Sequence, residues 1–169
     1  NGARFDMNVN YSYDGEKLLG TGGAIKNAER YLDETFFVLY GDSYLDIDYK
    51  AVSETYKLRR KEGLMTIYKN ENRWDSSNVV YKNRELLKYS KLDKSPDMNY
   101  IDYGLGILAK NSLSSIKQGA VCDLAEIYEN LSVKNQLAGF EVFHRFYEIG
   151  SKEGLAELNA LLGEAHGQK

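Results

Sequence analysis

Five consecutive apolar residues, Phe36-Phe37-Val38-Leu39-Tyr40, run straight into Gly41-Asp42. A continuous apolar run, without the alternation of a half-exposed strand, is what a parallel strand covered on both faces requires. Residues 49–62 follow with a helical pattern that Gly63 is expected to stop, and residues 64–68 form a second buried run. Strand, helix, strand predicts an α/β fold with a mostly parallel sheet. Asp42 then falls at the carboxyl edge of that sheet, where open α/β folds bind ligands.

The rest of the chain fits around this unit. Residues 4–12 alternate apolar and polar side chains (Phe5, Met7, Val9, Tyr11) as a strand does, and Asp14-Gly15 marks a turn. From Thr21 onward, Ala24, Ile25, Ala28, Tyr31 and Leu32 share one helical face. Strands at 78–81 and 85–89, joined by Lys82-Asn83-Arg84, predict a hairpin, and a polar loop holds the single proline, Pro96. Residues 100–108 read as a strand broken by Gly104 and Gly106, where a backbone can approach a ligand closely. A helix at 123–130 and strands near 137–141 and 145–149 lead to a last helix capped by Ser151, with Leu155, Leu158, Leu161 and Leu162 as its core stripe and Gly163 as its end. One domain is expected over 1–163, with a tail at 164–169 that includes His166; His144 is read as structural.

Composition narrows the function classes. At 169 residues, 43% hydrophobic and 28% charged, the chain has room for one sizeable core, which sets aside disordered and fibrous classes. No apolar run approaches the roughly 20 residues of a membrane span, and no signal pattern opens the chain. A lone Cys122 suits a reducing compartment, so a cytoplasmic location is expected. The net charge of -3 and scattered cations argue against nucleic acid, and Lys57, Arg59, Arg60 and Lys61 read as a solvated helix face. The 14 tyrosines suit half-buried strand positions with wet hydroxyls.

Three segments can carry chemistry. Gly20-Thr21-Gly22-Gly23 enters a helix, an arrangement that is more often structural but whose free N–H groups can also meet an anion. Asp42 is either a turn aspartate or a magnesium ligand, since magnesium prefers one or two carboxylates plus substrate phosphates. Phe146-Tyr147-Glu148-Ile149-Gly150-Ser151 repeats the pattern of strand, acid and glycine near the C-terminus. Asp46-Ile47-Asp48 is a further Asp-x-Asp metal motif, although Asp48 is also placed to cap the helix that follows.

Taken in order, these segments resemble the sugar-1-phosphate nucleotidyltransferases, most closely the mannose and heptose 1-phosphate guanylyltransferase branch. Leu19 to Ala28 is similar to that branch's Leu-Gly-Thr-Ala/Gly-Gly-Ala segment, and Phe37 to Asp42 to its Val-Leu-x-Gly-Asp strand. The resemblance implies a Rossmann-like, three-layer fold of the GT-A type. It also implies nucleotide binding by Gly20, Thr21, Gly22 and Gly23, magnesium held by Asp42 and Glu148, the sugar phosphate met by Lys91, and the sugar oriented by Gly104 and Asp123. Glu148 stands where the family usually has aspartate. The family's opening strand and Gly-x-Gly-Thr-Arg loop have no counterpart, so an N-terminally truncated domain with an exposed sheet edge, and hence a homodimer, is expected.

The implied reaction is nucleotidyl transfer from a nucleoside triphosphate, GTP favoured, to a sugar 1-phosphate. The alternatives are a nucleotide-sugar-dependent glycosyltransferase using Asp46 and Asp48, and a non-catalytic binding or oligomerisation module.

Overall fold

The computed structural model describes residues 2–166 and the side chains through residue 163. Eight strands and four α-helices follow one another as α1 (Gly20–Asn27), β1 (Thr35–Leu39), β2 (Ser43–Tyr44), α2 (Tyr49–Arg59), β3 (Gly63–Lys69), β4 (Val79–Lys82), β5 (Glu85–Tyr89), β6 (Tyr100–Ala109), α3 (Leu124–Val133), β7 (Leu137–Val142), β8 (Tyr147–Glu148) and α4 (Lys152–His166). Six strands form the main sheet, in the order β5-β4-β6-β3-β7, with β1 also on β6. β1, β3, β4 and β7 point one way, and β5 and β6 the other.

β6 organises the sheet. β3 lies along one of its edges, while β1 and β4 divide the other, β1 against Leu105 to Ala109 and β4 at Tyr100. Alternate residues of these strands feed two cores. Met65, Ile67, Leu108 and Leu137 pack with Leu124, Ile127, Tyr128 and Leu131 of α3 on one face. Leu64, Leu105, Ile107 and Ala138 pack with Val52 of α2 on the other. Helix, sheet and helix give the three layers that the sequence implied.

Several expectations change. β1 is antiparallel to β6, and only its even positions are covered; Phe37 and Leu39 remain 44% and 49% exposed. Its continuous apolarity therefore does not mark burial on both faces; Tyr49 packs edge-on against Phe37, with ring centroids 5.7 Å apart, and leaves it partly exposed. Residues 4–12 are not a strand. Pairing with no strand among the described residues, they form a 3₁₀ turn at Ala3–Phe5 and irregular backbone, leaving Phe5, Met7 and Tyr11 at the surface. α2 stops at Arg59 because Arg60 adopts a left-handed conformation (φ 52°), and Gly63 opens β3.

Within the basic stretch, Arg59 and Lys61 pair with Glu85 at 2.7 and 3.0 Å, tying α2 to the hairpin instead of facing solvent. Of the α4 stripe only Leu158 is buried; Leu155 and Leu161 are exposed, and the helix continues through Gly163 to His166. The His166 side chain and residues 167–169 lie outside the described residues. His144 stands exposed between β7 and β8, where the core makes no use of it. Among the described residues no helix is long and apolar enough to cross a membrane.

Candidate active site

The backbone segments of the two acids expected to share a metal are brought together. After β1, the Ser43 N–H donates to the Tyr40 carbonyl at 3.4 Å, and this turn carries Asp42. The short β2 then pairs antiparallel with β8, Ser43 opposite Glu148, and the Ile149 N–H donates to the Asp42 carbonyl at 2.9 Å. Sequence reasoning missed β2, and the strand expected at 145–149 shrinks to Tyr147–Glu148, because this ribbon is too short to show any periodicity. Both carboxylates are exposed, and neither has an ion pair among the described residues; Asp42 accepts only the Ser43 hydroxyl, at 3.4 Å. Exposed carboxylates without an ion partner have the oxygen chemistry that a hard divalent cation prefers. No group of three or more His, Cys, Asp or Glu side chains that could hold a metal ion occurs among the described residues.

A second group forms at the amino ends of α1 and α3. Lys91 reaches both Asp123 oxygens at 3.4 Å, the Thr21 hydroxyl donates to Asp123 Oδ1 at 3.2 Å, and the Leu124 N–H donates to Thr21 Oγ1 at 2.8 Å. Asp123 also caps α3, accepting from the Ala125 N–H at 2.8 Å, while Glu126 accepts from the Asp123 N–H. Partial burial pushes the Asp123 carboxyl up, but the Ala125 N–H, the Lys91 charge and the Thr21 hydroxyl outweigh it and hold it below its ordinary value.

The glycines serve this junction. The Gly22 and Gly23 N–H groups, expected to be free, both donate to the Cys122 carbonyl, at 2.9 and 3.1 Å. Gly20 has φ 72°, and a Cβ there would stand 2.6 Å from the Cys122 oxygen. The close backbone approach is thus to residues 120–123 of the same chain.

Gly104 lies beside the first group. It is buried, its carbonyl accepts from the Tyr40 N–H at 3.2 Å, and its φ of 99° is a conformation that side chains avoid. A Cβ there would stand 3.3 Å from the Tyr40 ring and 3.6 Å from Ser43 Oγ. Gly106, by contrast, makes room for the Tyr128 hydroxyl instead of a ligand.

One residue beside Gly104 had been given no role. Asp102 Oδ1 accepts from the Gly104 N–H at 2.9 Å, and Oδ2 accepts from the Tyr40 hydroxyl at 3.4 Å. Burial pushes its carboxyl up to about 6, against the opposing pull of these two donors and Lys91. An aspartate two residues before a glycine of positive φ was the available signal. Nearby, the Tyr89 hydroxyl is buried without a hydrogen-bond partner among the described residues, contrary to the expectation of wet hydroxyls. Asp46 is exposed, whereas Asp48 caps α2, accepting from Lys50 and Ala51 N–H groups at 2.8 and 3.1 Å, so one acid of the Asp-x-Asp pair is engaged in the cap.

This three-layer fold is shared with solved structures of sugar-1-phosphate nucleotidyltransferases. A Bacillus anthracis protein assigned as a glucose-1-phosphate thymidylyltransferase, solved with sucrose, superposes with a TM-score of 0.81 at 17% identity, over 95% of this chain and 67% of that one. HddC from Yersinia pseudotuberculosis gives 0.66 at 21% identity, over 87% and 64%. The inositol-1-phosphate CTP transferase from T. maritima gives 0.67 at 19%, over 86% and 62%. The chain thus spans about two thirds or less of the length of these proteins. No protein-family model matches it.

Proposed function

We propose that this chain carries the sugar-phosphate and metal-facing part of a nucleotidyltransferase, which transfers a nucleotidyl group from a nucleoside triphosphate, GTP favoured, to a sugar 1-phosphate. The observation that carries this reading is the pair of neighbouring groups, Glu148, Asp42, Ser43, Gly104 and Asp102 on one side and Lys91 with Asp123 on the other, the Lys91 charge acting on Asp102, on a fold shared with enzymes of that name. In the reaction a sugar-phosphate oxygen bonds to the α-phosphorus as the bond to the β-phosphate oxygen breaks and pyrophosphate departs. The protein's part is positioning and charge compensation.

Lys91, held but not neutralised outright by a 3.4 Å contact, can turn to the sugar phosphate, leaving Asp123 to accept sugar hydroxyls. Gly20, Thr21, Gly22 and Gly23 shape the nucleotide side through their fixed backbone. Magnesium at Asp42 and Glu148 would draw the two phosphates together and reduce their repulsion. The engagement of Asp48 in capping speaks for this reading over a glycosyltransferase built on Asp46 and Asp48. The outer edge of β1, which no other strand covers among the described residues, supports homodimerisation through that edge. The reading also carries an expected cytoplasmic location.

Calorimetric titration with GDP-mannose and related nucleotide-sugars, with and without magnesium, tests the assignment. Magnesium-dependent binding that Asp42→Ala weakens at least about tenfold is the expected result. Absence of binding to every nucleotide-sugar would leave the fold as a non-catalytic module.

A further inference from the structure

The ribbon that joins Asp42 to Glu148 has two residues per strand, Ser43–Tyr44 and Tyr147–Glu148. A ribbon this short cannot fix its own register. Something outside it must.

Three residues before Glu148, the Arg145 guanidinium lies between two aromatic rings. It sits 3.7 Å from the Trp74 centroid and 4.6 Å from that of Tyr147. The same group donates to Glu157 of α4 at 2.8 Å and to the Phe146 carbonyl at 3.3 Å, and the Arg145 carbonyl accepts from the Tyr103 hydroxyl at 3.4 Å. Trp74 is itself held. The buried Asn70 side chain donates to the Asp75 carbonyl at 2.6 Å and accepts from the Trp74 N–H at 3.2 Å. One cation therefore fastens the segment after β3, the ribbon and α4 together. On the far side of Glu148, Ser151 caps α4, and a Cβ at Gly154 would overlap the Glu148 carbonyl, so α4 rests directly on the acid's backbone.

We propose that Arg145 is a positioning residue for the Asp42 and Glu148 couple, clamped between Trp74 and Tyr147 so that Glu148 stays opposite Ser43. The proposal rests on the reading of that couple as the metal-facing end of the site. It requires a flat cation. Lysine keeps the charge toward Glu157 but cannot lie between two rings while donating to both a carboxylate and a carbonyl.

The test compares the whole chain with Arg145→Lys and with Trp74→Leu, which reaches the clamp from its half-exposed side. Amide hydrogen exchange is read at Ile149, whose N–H donates to the Asp42 carbonyl. Manganese line broadening is read at residues 42 and 148, with Asp42→Ala as control. We expect Ile149 to exchange at least about tenfold faster in both variants, with β3 and β6 amides and the melting temperature unchanged. Manganese broadening should weaken in parallel. Wild-type protection of Ile149 in both variants overturns the proposal, as does loss of protection spread evenly over the sheet, which would mean general destabilisation. The exchange result decides the clamp whichever way the metal result falls; a wild-type chain that shows no manganese broadening counts against the metal reading alone.

Discussion

Asp102 is a carboxylate that burial pushes well above its ordinary value. Its folded pKa of about 6 lies above the ordinary 3.8, so between those values the folded state holds a proton that the unfolded chain has released. The burial penalty is absent below about pH 4, grows as pH rises through this window, and is complete above it, at about 3 kcal/mol. Thermal melts should therefore show the chain losing stability from pH 4 to 7 relative to Asp102→Asn. Asp102→Asn should flatten that dependence and raise stability at pH 7, provided the amide oxygen keeps the Gly104 N–H. An unchanged profile in the variant would place the titration elsewhere. Gly104→Ala is expected to cost about 1–3 kcal/mol in denaturant melts, from its φ of 99° and the nearby Tyr40 ring.

At the scale of elements, Asp48 tests its two roles against each other. Asp48→Ala should remove the α2 cap at a cost of about 1 kcal/mol while leaving metal-dependent ligand binding intact; loss of that binding would revive the Asp-x-Asp alternative. The β4–β5 hairpin turns through Asn83 and Arg84 with φ of 52° and 63°, a two-residue turn whose second position favours glycine. Arg84→Gly should stabilise the chain by about 1 kcal/mol in the same melts.

Elements with a strong local signal were legible in the sequence, among them this hairpin, β3, β6 and the Asp48 and Ser151 caps. What escaped depends on partners distant in sequence. The apolar run of β1 gave no hint that its neighbour β6 runs the opposite way. The alternation of residues 4–12 predicts a strand only where another strand is there to meet it. The acids Asp42 and Glu148 were visible as motifs, but the β2–β8 ribbon that joins them is set by packing across more than a hundred residues.

For the whole molecule, the uncovered edge of β1, flanked by exposed Phe37 and Leu39, predicts self-association. Light scattering should report a dimer or larger species, and a monodisperse monomer would remove the edge as an interface. The position of β6 has a further consequence. Its partners β1, β3 and β4 all precede it in the chain, and β3's other neighbour, β7, comes later still. Among the described residues, Phe36 to Leu39 and Leu64 to Ile67 emerge during synthesis before their partner β6 at residues 100–109. A fragment ending before Tyr100 can make helices and one hairpin but no core, and such a fragment should be recovered as aggregate. That interval is when the nascent chain is most exposed to misassembly.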